Sequence, residues 1–415
     1  MPANNFRFAI ILLTSLFFLW GFALNLNPIL IPHLKKACQL SDVQSAFIDS
    51  ASYIAYFLMA VPAGLFMKKH GYKGGIIVGL VLFAVGAFLF FPAAASRSYM
   101  FFLGALFIIA CGLAFLETAA NPYITELGDP STATQRINFA QSFNGLAATL
   151  APLIGGLFIL SGQSFTKEQE AAMPPAQLNT YLQTEANSVQ IPFLIIGLVV
   201  LLVAIFIWKT RLPDIIETEE VSVEQSLFKE KNLMLGVLAQ FFYVGAQVCV
   251  SSFFIRFSKR VAGIEEKQAA MFLSAALLGF MAGRFIGTFL MKYVAPPKLL
   301  AAFSIINMAL LAIAVLSHGK IPVYALVGVE VFMSIMFPTI FSLSIRGLGP
   351  KTKEGSSLVI MAIAGGALFP VIMGRLSDAT NIQTAYIVPA VCFIVVFYFA
   401  IKNLKVRDLK LSVAH

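Results

Sequence analysis

The chain has little charge for its length. Only 12% of its 415 residues are Asp, Glu, Lys or Arg. Soluble domains carry about 25% charged residues, so this low content excludes an ordinary soluble protein. The four cysteines have neither the spacing of metal ligands nor that of a disulfide framework. The composition therefore predicts no metal site.

Residue types for an active site or a nucleotide-driven motor are also scarce. Histidines occur only at positions 33, 70, 318 and 415, where we expect loops or the chain end. The segment 347–357, GLGPKTKEGSS, has only a superficial likeness to a phosphate-binding loop. We therefore predict neither an enzyme nor an ATP-driven pump, and no cofactor.

What the chain does have is apolar sequence, at 59% hydrophobic residues with forty phenylalanines. A helix needs about 20 apolar residues to cross the hydrocarbon of a bilayer. Twelve stretches reach or approach that length, at residues 8–32, 44–67, 74–95, 100–126, 137–162, 189–208, 232–257, 268–291, 298–317, 321–345, 356–374 and 385–401. The sequence therefore predicts an all-α membrane protein with twelve transmembrane helices.

The basic residues predict how the spans are oriented. A net charge of +9 would suggest nucleic acid as the partner of a soluble protein. No basic cluster with interleaved aromatic residues is present, so we expect no nucleic-acid partner. With both termini in the cytoplasm, the cytoplasmic connections carry more Lys and Arg than the outside ones, for example Lys68, Lys69, Lys351 and Lys353. This excess is typical of cytoplasmic connections, so we predict that both termini are cytoplasmic.

Two polar segments interrupt the spans. Residues 209–231 form a charged connection between six spans and six, and residues 163–188 read as a polar outside loop. We predict an N-terminal six-helix bundle (1–208), a cytoplasmic linker (209–231) and a C-terminal six-helix bundle (232–415). Short similarities, such as NPYITELG at 121–128 and FPTIFSLSIRGLG at 337–349, favour parallel repeats of the kind found in secondary transporters.

A single carboxylate lies in the middle of the fourth span. Burying such a charge at bilayer depth costs about 2.5–3.5 kcal/mol on insertion scales. Glu117 therefore predicts a polar site, and Asn121 lies one turn further on the same helix face. The alternative is that these residues only hold helices together by hydrogen bonds.

Polar stripes at helical spacing occur in other spans. Their members are Trp20, Asn25 and Asn27 in the first span, Asp49, Ser52, Tyr53 and Tyr56 in the second, Gln141 and Asn144 in the fifth, and Gln240, Tyr243, Gln247 and Ser251 in the seventh. Amides and hydroxyls both donate and accept hydrogen bonds, which suits a sugar. Each stripe alone could serve as interhelical contact, but four of them favour a lined cavity.

Three further charges lie within spans. Asp49 is near the outer end of the second span, where it either takes part in coupling or lies in a wet vestibule. Glu330 is a candidate for a second protonation site, or it pairs with Arg284 or with a neighbouring helix. Arg284 either extends toward the inner surface or holds an inner gate closed, and we expect a structural role for it.

The connection between the second and third spans reads GLFMKKHGYK, residues 64–73. It resembles the Gly-x-x-x-Asp-Arg-x-Gly-Arg-Lys signature of the major facilitator superfamily, with Lys68 where an acidic residue is usual. Gly64, Lys68 and Gly71 are then gating or structural residues. A tight cytoplasmic turn would explain the basic residues but not the glycine spacing.

A closer resemblance runs through most of the chain in order. Segments 17–30 (FFLWGFALNLNPIL), 112–128 (GLAFLETAANPYITELG), 138–144 (NFAQSFN) and 283–288 (GRFIGT) resemble the L-fucose–proton symporter family of that superfamily. The resemblance implies the major facilitator fold and a bacterial inner membrane location.

The resemblance also implies roles for individual residues. Glu117 matches the family's glutamate in proton coupling and in the sugar cavity. Gln141 and Asn144 match its sugar-binding amides, and Asn25 matches an asparagine of its helix-1 motif. The family's helix-1 aspartate corresponds to Pro28, which carries no proton. Asp49 is our candidate for its replacement.

These observations predict secondary active transport of L-fucose or a related hexose, coupled to protons, by alternating access. The expected sugar-binding residues are Asn25, Glu117, Asn121, Gln141, Asn144, Tyr243 and Gln247, and the expected proton-coupling residues are Glu117 and Asp49. An uncoupled or sodium-coupled carrier of glucose, galactose or N-acetylglucosamine and a proton-linked exporter are alternatives. The partners expected are a sugar, a proton and the bilayer, with the protein a monomer.

Overall fold

The computed structural model of the chain describes residues 3–40, 42–159, 167–210, 212 and 227–404. That description leaves out the side chains of residues 3–7, 27–29, 31–32, 42–43, 45–50, 152–153, 155–159, 167–168, 171 and 266–267. Almost all described residues are helical and none lies in a strand. The all-α fold class is confirmed, whereas most of the predicted linker 209–231 lies outside the described residues.

The helices follow the predicted spans closely. They are α1 (Ala3–Leu24), α2 (Asn27–Ala37), α3 (Asp42–Ser96), α4 (Tyr99–Glu126), α5 (Ala133–Ile159), α6 (Lys167–Ala172), α7 (Pro175–Asn187), α8 (Gln190–Lys209), α9 (Lys231–Ala262), α10 (Glu266–Leu290), α11 (Pro296–Leu316), α12 (Ile321–Met333), α13 (Met336–Ile345), α14 (Thr352–Met361), α15 (Gly365–Ala379), α16 (Ile382–Ala385) and α17 (Ile387–Leu404).

Nine helices in the described part of the chain are long and apolar enough to cross a membrane. One of them, Ala51–Ser96, contains two predicted spans in succession. Together with α5 and the shorter apolar helix Phe8–Leu24, the nine account for the twelve predicted stretches. The chain is therefore a multi-pass membrane protein of twelve spans.

The second and third spans meet at Gly71. Its backbone has φ 72° and ψ 174°, which breaks the helical geometry inside α3. This left-handed region is open to glycine and strained for residues with a Cβ atom. Gly71 of the predicted signature is therefore required by the turn itself.

The predicted first span, 8–32, is broken in the structure. Helix α1 ends at Leu24, and α2 begins at Asn27 with Pro28 in its first turn. Proline lacks a backbone donor and is best accommodated at a helix start. The break leaves Asn25 at the junction, where its Nδ2 donates to the backbone oxygen of Gly21 at 2.7 Å.

The tenth predicted span is also interrupted, between α12 and α13. Pro338 has no N–H group, so the carbonyl of Ser334, four residues earlier, receives no helical hydrogen bond from it. A carbonyl inside a membrane needs another donor. That free oxygen becomes part of the site described below.

The prediction of a polar loop at 163–188 is wrong for most of that segment. Helices α6 and α7 occupy residues 167–187, and Tyr181, Leu182, Glu185 and Ala186 of α7 are buried. The i, i+1, i+4, i+5 spacing of these residues gives α7 one buried face. The helix is short and its opposite face is polar, so the sequence of this segment did not predict a helix.

The contacts divide the chain into two compact units, one of Met1–Ala120 with Leu146–Asp214, the other of Asn121–Gly145 with Ile215–His415. In the first, α3 packs along α8, and the rings of Phe90 and Phe193 stack with centroids 3.7 Å apart. In the second, α9 contacts α10, α12, α13, α15 and α17. The bundle boundaries 1–208 and 232–415 remain a prediction.

Glycines bring α9 and α15 unusually close in the second unit. A Cβ atom on Gly365 would lie 2.0 Å from the backbone oxygen of Phe241, and one on Gly245 would lie 2.2 Å from the ring of Phe369. Small residues at helix interfaces allow such close approach in membranes. Neither position has room for a methyl group.

We expect Gly365→Ala to destabilise the protein by about 1–3 kcal/mol, the usual cost of overpacking a core. Gly104→Ala is the matched control, because a Cβ atom there meets nothing within 4 Å. Thermal unfolding in detergent should show a lower midpoint for Gly365→Ala and none of this loss for Gly104→Ala. Equal midpoints for both variants would contradict the close packing.

Candidate functional site

Glu117 is buried in the first unit and hydrogen-bonded to Tyr56. The Tyr56 hydroxyl donates to Glu117 Oε1 at 2.6 Å, and the two residues are 3% and 5% exposed. Tyr56 is thus the member of the predicted second-span stripe that reaches the carboxylate. Small buried residues, Ala55, Ala110 and Cys111, form one packed cluster beside it and let α3 and α4 approach.

Asn121 and Gln141 lie together in the second unit. Gln141 Nε2 donates to Asn121 Oδ1 at 3.3 Å, and both side chains are buried. Asn121 Nδ2 has no hydrogen-bond partner in the described part of the chain. An unsatisfied buried donor costs about 1–3 kcal/mol. This amide hydrogen is therefore available to an acceptor such as a sugar hydroxyl.

The other predicted sugar-binding residues differ in how available they are. Asn144 and Gln247 are half-buried and make no hydrogen bond to another described residue. Tyr243 is fully buried, and its hydroxyl donates to the backbone oxygen of Met333 at 3.0 Å. The Tyr243 hydroxyl is therefore engaged in holding α9 to α12. Its part in sugar binding remains a prediction.

Arg284 bonds two backbone carbonyls from different helices. Its Nε donates to Ser334 O at 2.7 Å, and its Nη1 donates to Gln141 O at 2.7 Å. Ser334 O is the carbonyl that Pro338 leaves free, so the guanidinium restores the missing hydrogen bond. The guanidinium also lies 4.7 Å from the ring centre of Phe280.

Further polar contacts join α5 to the same helices within the second unit. Asn138 Nδ2 donates to Thr339 Oγ1 at 3.1 Å, and the hydroxyls of Thr134 and Ser342 lie 2.9 Å apart. With the Arg284–Gln141 bond they form a ladder along α5. We call these contacts the α5 ladder. Sequence reading placed Gln141 in a stripe but missed Asn138 and Thr134, because their partners are about 200 residues away.

Glu330 is buried on α12, and its partner is Ser251. The Ser251 hydroxyl donates to Glu330 Oε1 at 2.7 Å, and Glu330 is 1% exposed. The alternative that Glu330 pairs with Arg284 is wrong in this structure, because the guanidinium donates to the two carbonyls instead. Ser251 belongs to the predicted seventh-span stripe, so that stripe partly serves helix contact.

A family model described as the Major Facilitator Superfamily matches residues 11–366. The chain belongs to the major facilitator superfamily. It is therefore a transporter and not an enzyme.

Relatives in this superfamily match almost the whole chain. The L-fucose-proton symporter of Escherichia coli (strain K12) is 44% identical over 400 residues, covering 94% of this chain and 91% of that protein. A glucose/galactose transporter of Brucella abortus biovar 1 (strain 9-941) is 41% identical over 403 residues, covering 96% of this chain and 94% of that protein. A crystal structure of the transporter FucP in the outward conformation matches with a TM-score of 0.90 at 43% identity, over 96% of this chain and 99% of that chain.

The predicted major facilitator signature lies at the turn inside α3. Gly64 is buried, Lys68 is exposed, and Gly71 carries the break. Lys73, at the end of the signature, donates to the backbone oxygens of Trp208 and Thr210 at 2.9 Å each. The signature therefore caps the end of α8. The side chain of Asp49 lies outside the described residues, as does that of Pro28.

A buried titratable cluster lies away from these residues, between α2 and α7. His33 Nε2 donates to Glu185 O at 2.8 Å, and Lys36 Nζ lies 3.2 Å from Glu185 Oε1. His33 was expected in a loop, which is wrong: it lies in α2 and is 3% exposed. Burial lowers the pKa of His33, although the nearby Glu185 carboxylate opposes this.

This pKa shift predicts a loss of stability in acid. Since burial disfavours the imidazolium, the unfolded chain binds the His33 proton more readily than the folded protein. Stability therefore falls as the pH drops below the ordinary value of 6.5. We expect the thermal midpoint in detergent to fall between pH 7 and pH 5 in the parent protein, and less so in His33→Gln.

The control for this prediction is His318→Gln, which changes an exposed histidine. Its midpoint should follow the parent protein across the same pH range. A pH dependence that is unchanged in His33→Gln would contradict the assignment of the acid sensitivity to His33.

Proposed function

We propose that this protein is a proton-coupled carrier of L-fucose or a related hexose, working by alternating access. The observation that carries the proposal is Glu117, a buried carboxyl whose one hydrogen bond to a described residue comes from Tyr56. It lies on the same helix as Asn121, four residues away, whose amide hydrogen is free. Relatives named as an L-fucose-proton symporter and as a glucose/galactose transporter support the substrate class.

Glu117 supplies the coupling in this proposal. A deprotonated carboxylate without a cation is costly in apolar surroundings. A proton entering from outside neutralises it and so favours the state that accepts the sugar and crosses. Ligands move such an equilibrium only through different affinities for the two facing states. Proton and sugar binding to the same state therefore link their movements.

Sugar binding falls to the amides. Asn121 Nδ2 and the side chains of Gln141, Asn144, Asn25 and Gln247 donate and accept hydrogen bonds, as sugar hydroxyls require. Tyr243 contributes its ring, since its hydroxyl is engaged with Met333 O. We place Asp49 with Glu117 in proton coupling, as the carboxylate that replaces the one missing at Pro28.

We assign the α5 ladder to a gate, a set of contacts that breaks and re-forms in each transport cycle. If residues 1–208 and 232–415 move as two bundles, α5 must separate from α10 and α13 once in each cycle. Arg284 holds α5 through a single bond to a backbone oxygen, Gln141 O. Such a bond can break while the guanidinium keeps its second bond to Ser334 O. Gly64, Lys68 and Gly71 contribute the turn that joins two spans.

We further propose that the carrier lies in a bacterial inner membrane with both termini in the cytoplasm and works as a monomer. The excess of Lys and Arg in the connections on that side supports the orientation. One polypeptide with two bundles is sufficient for alternating access.

The decisive variant is Glu117→Gln, which keeps the size of the side chain and removes its charge. With one proton per sugar, each pH unit of gradient should drive about tenfold accumulation in the parent protein. We expect Glu117→Gln to lose this accumulation while it still exchanges labelled for unlabelled sugar. The measurement is uptake of labelled L-fucose, glucose, galactose and N-acetylglucosamine into proteoliposomes, with and without an inward proton gradient.

Glu330→Gln is the matched control, since it changes another buried carboxyl with one hydroxyl donor. Its accumulation should equal that of the parent protein. Gradient-independent uptake by the parent protein would indicate a facilitator, and a requirement for Na⁺ would indicate sodium coupling. No uptake of any of the four sugars would contradict the proposal as a whole.

A further inference from the structure

The hydroxyl of Tyr56 forms a hydrogen bond that packing of the ring alone would not require. It donates at 2.6 Å to Oε1 of Glu117, an oxygen of the carboxyl that the proposed function requires to gain and lose a proton. An O–H donor bonds a carboxylate oxygen at about 2.5–2.7 Å and a neutral oxygen at somewhat longer distances. The separation is that of a well-formed hydrogen bond from the hydroxyl to the carboxyl.

The surroundings offer the charged form little else. Glu117 has no ion pair with any Lys, Arg or His among the described residues, and no second hydrogen-bond donor there. Two further titratable residues belong to this face of α3: Tyr53, one turn before Tyr56, and Asp49, whose side chain lies outside the described residues. The Tyr56 hydroxyl is therefore the group in this part of the chain that favours the carboxylate over the carboxylic acid.

The fold holds this hydroxyl firmly. Tyr56 lies in the α3 segment that packs on α4 through Ala55, Ala110 and Cys111, whose small side chains bring the two helices together. Only two side-chain torsions, χ1 and χ2, set the position of a tyrosine hydroxyl oxygen. Because packing around the buried ring restricts both torsions, the position of the hydroxyl depends on the position of the backbone. The bond to Glu117 is thus built into the α3–α4 contact.

We propose that Tyr56 is a positioning residue that sets the pH range over which Glu117 exchanges its proton during transport. This inference rests on the proposed function and deepens it. By favouring the carboxylate, the hydroxyl assists release of the proton after the sugar has been delivered. Without it, Glu117 would keep its proton at higher pH and the carrier would reset less readily.

The competing explanation is that the bond only joins α3 to α4, as interhelical hydrogen bonds often do. A purely structural bond would change stability and leave the pH dependence of transport alone. The pH profile therefore separates the two explanations, and stability alone does not.

The test is Tyr56→Phe, which removes the hydroxyl and keeps the ring. Exchange of labelled sugar across proteoliposomes at equal pH on both sides is measured from pH 5 to pH 9. We expect the alkaline limb of the profile to move up by about one to two pH units, the equivalent of losing a hydrogen bond to a charged group. Accumulation driven by a proton gradient should persist at reduced rate.

Tyr386→Phe is the matched control. Tyr386 is also a fully buried tyrosine, and its hydroxyl donates to a backbone oxygen, Val250 O, at 3.3 Å. Its removal deletes the hydroxyl bond of a buried tyrosine in the second unit, whereas Glu117 belongs to the first. The pH profile of Tyr386→Phe should coincide with that of the parent protein.

A second variant covers the case in which Tyr56→Phe fails to fold. A fluorinated tyrosine incorporated at position 56 keeps the ring and the bond but is a stronger donor. It should move the alkaline limb to lower pH, opposite to the shift in Tyr56→Phe. An unchanged profile in either folded variant would overturn the role of Tyr56.

The failures of the two proposals are distinguishable. If Glu117→Gln still accumulates sugar, the assignment of coupling to Glu117 fails whatever Tyr56→Phe does. If Glu117→Gln loses accumulation and Tyr56→Phe keeps the parent profile, only the role of Tyr56 fails. In a variant that combines Glu117→Gln with Tyr56→Phe, the shift of the alkaline limb caused by Tyr56→Phe should vanish, because no carboxylate remains at position 117.

Discussion

Water is absent from the hydrocarbon of a bilayer, so every polar group within these helices must find its partner in the protein. Pro338 withdraws one donor, and Arg284 supplies the replacement to Ser334 O. Tyr56 bonds the Glu117 carboxyl, and Ser251 bonds that of Glu330. Against this background the free amide hydrogen of Asn121 is informative. Other buried groups in the described part of the chain share this state, among them Asn138 Oδ1 and the Gln240 amide, and we assign Asn121 to the ligand because it lies one turn from Glu117 on α4.

Glu117 and Glu330, two buried carboxyls among the described residues of the spans, have similar hydrogen-bond partners but receive different roles. Glu117 and Glu330 each accept one hydroxyl bond in a separate unit. We assign coupling to Glu117 for two reasons. Asn121 follows it on α4, and its donor Tyr56 has a large buried ring that fixes the position of the hydroxyl, whereas the donor to Glu330 is the small side chain of Ser251. Comparison of the two glutamine variants therefore tests the assignment without any change in burial or size.

Much of the fold was predictable because spans and turns are local signals. Hydrophobic length alone predicts the bounds of α4, α8 and α11 to within a few residues. The helical character of 167–187 escaped prediction, since its apolar face is narrow and short. His33 was misjudged for a related reason: its burial depends on α7, about 150 residues away in the chain.

The candidate site was predictable as a set of residue types but not as a set of partners. Helical spacing places Tyr56 on a polar stripe, but no feature of the sequence indicates that this stripe meets Glu117. Similarly, the missing N–H of Pro338 indicates a free carbonyl and does not identify Arg284 as its donor. Tyr243 reads as a sugar ligand, whereas its hydroxyl is bonded to Met333 O. Pairings across helices depend on packing angles that a single sequence does not encode locally.

In the proposed cycle, proton and sugar cross the membrane together. The most direct measurement is the external pH of a lightly buffered suspension of proteoliposomes when L-fucose, glucose or galactose is added without any imposed gradient. Proton-coupled transport predicts that one of these sugars alkalinises the medium as protons enter with it, and that a protonophore abolishes the signal. Entry of labelled sugar with no change in pH would contradict it.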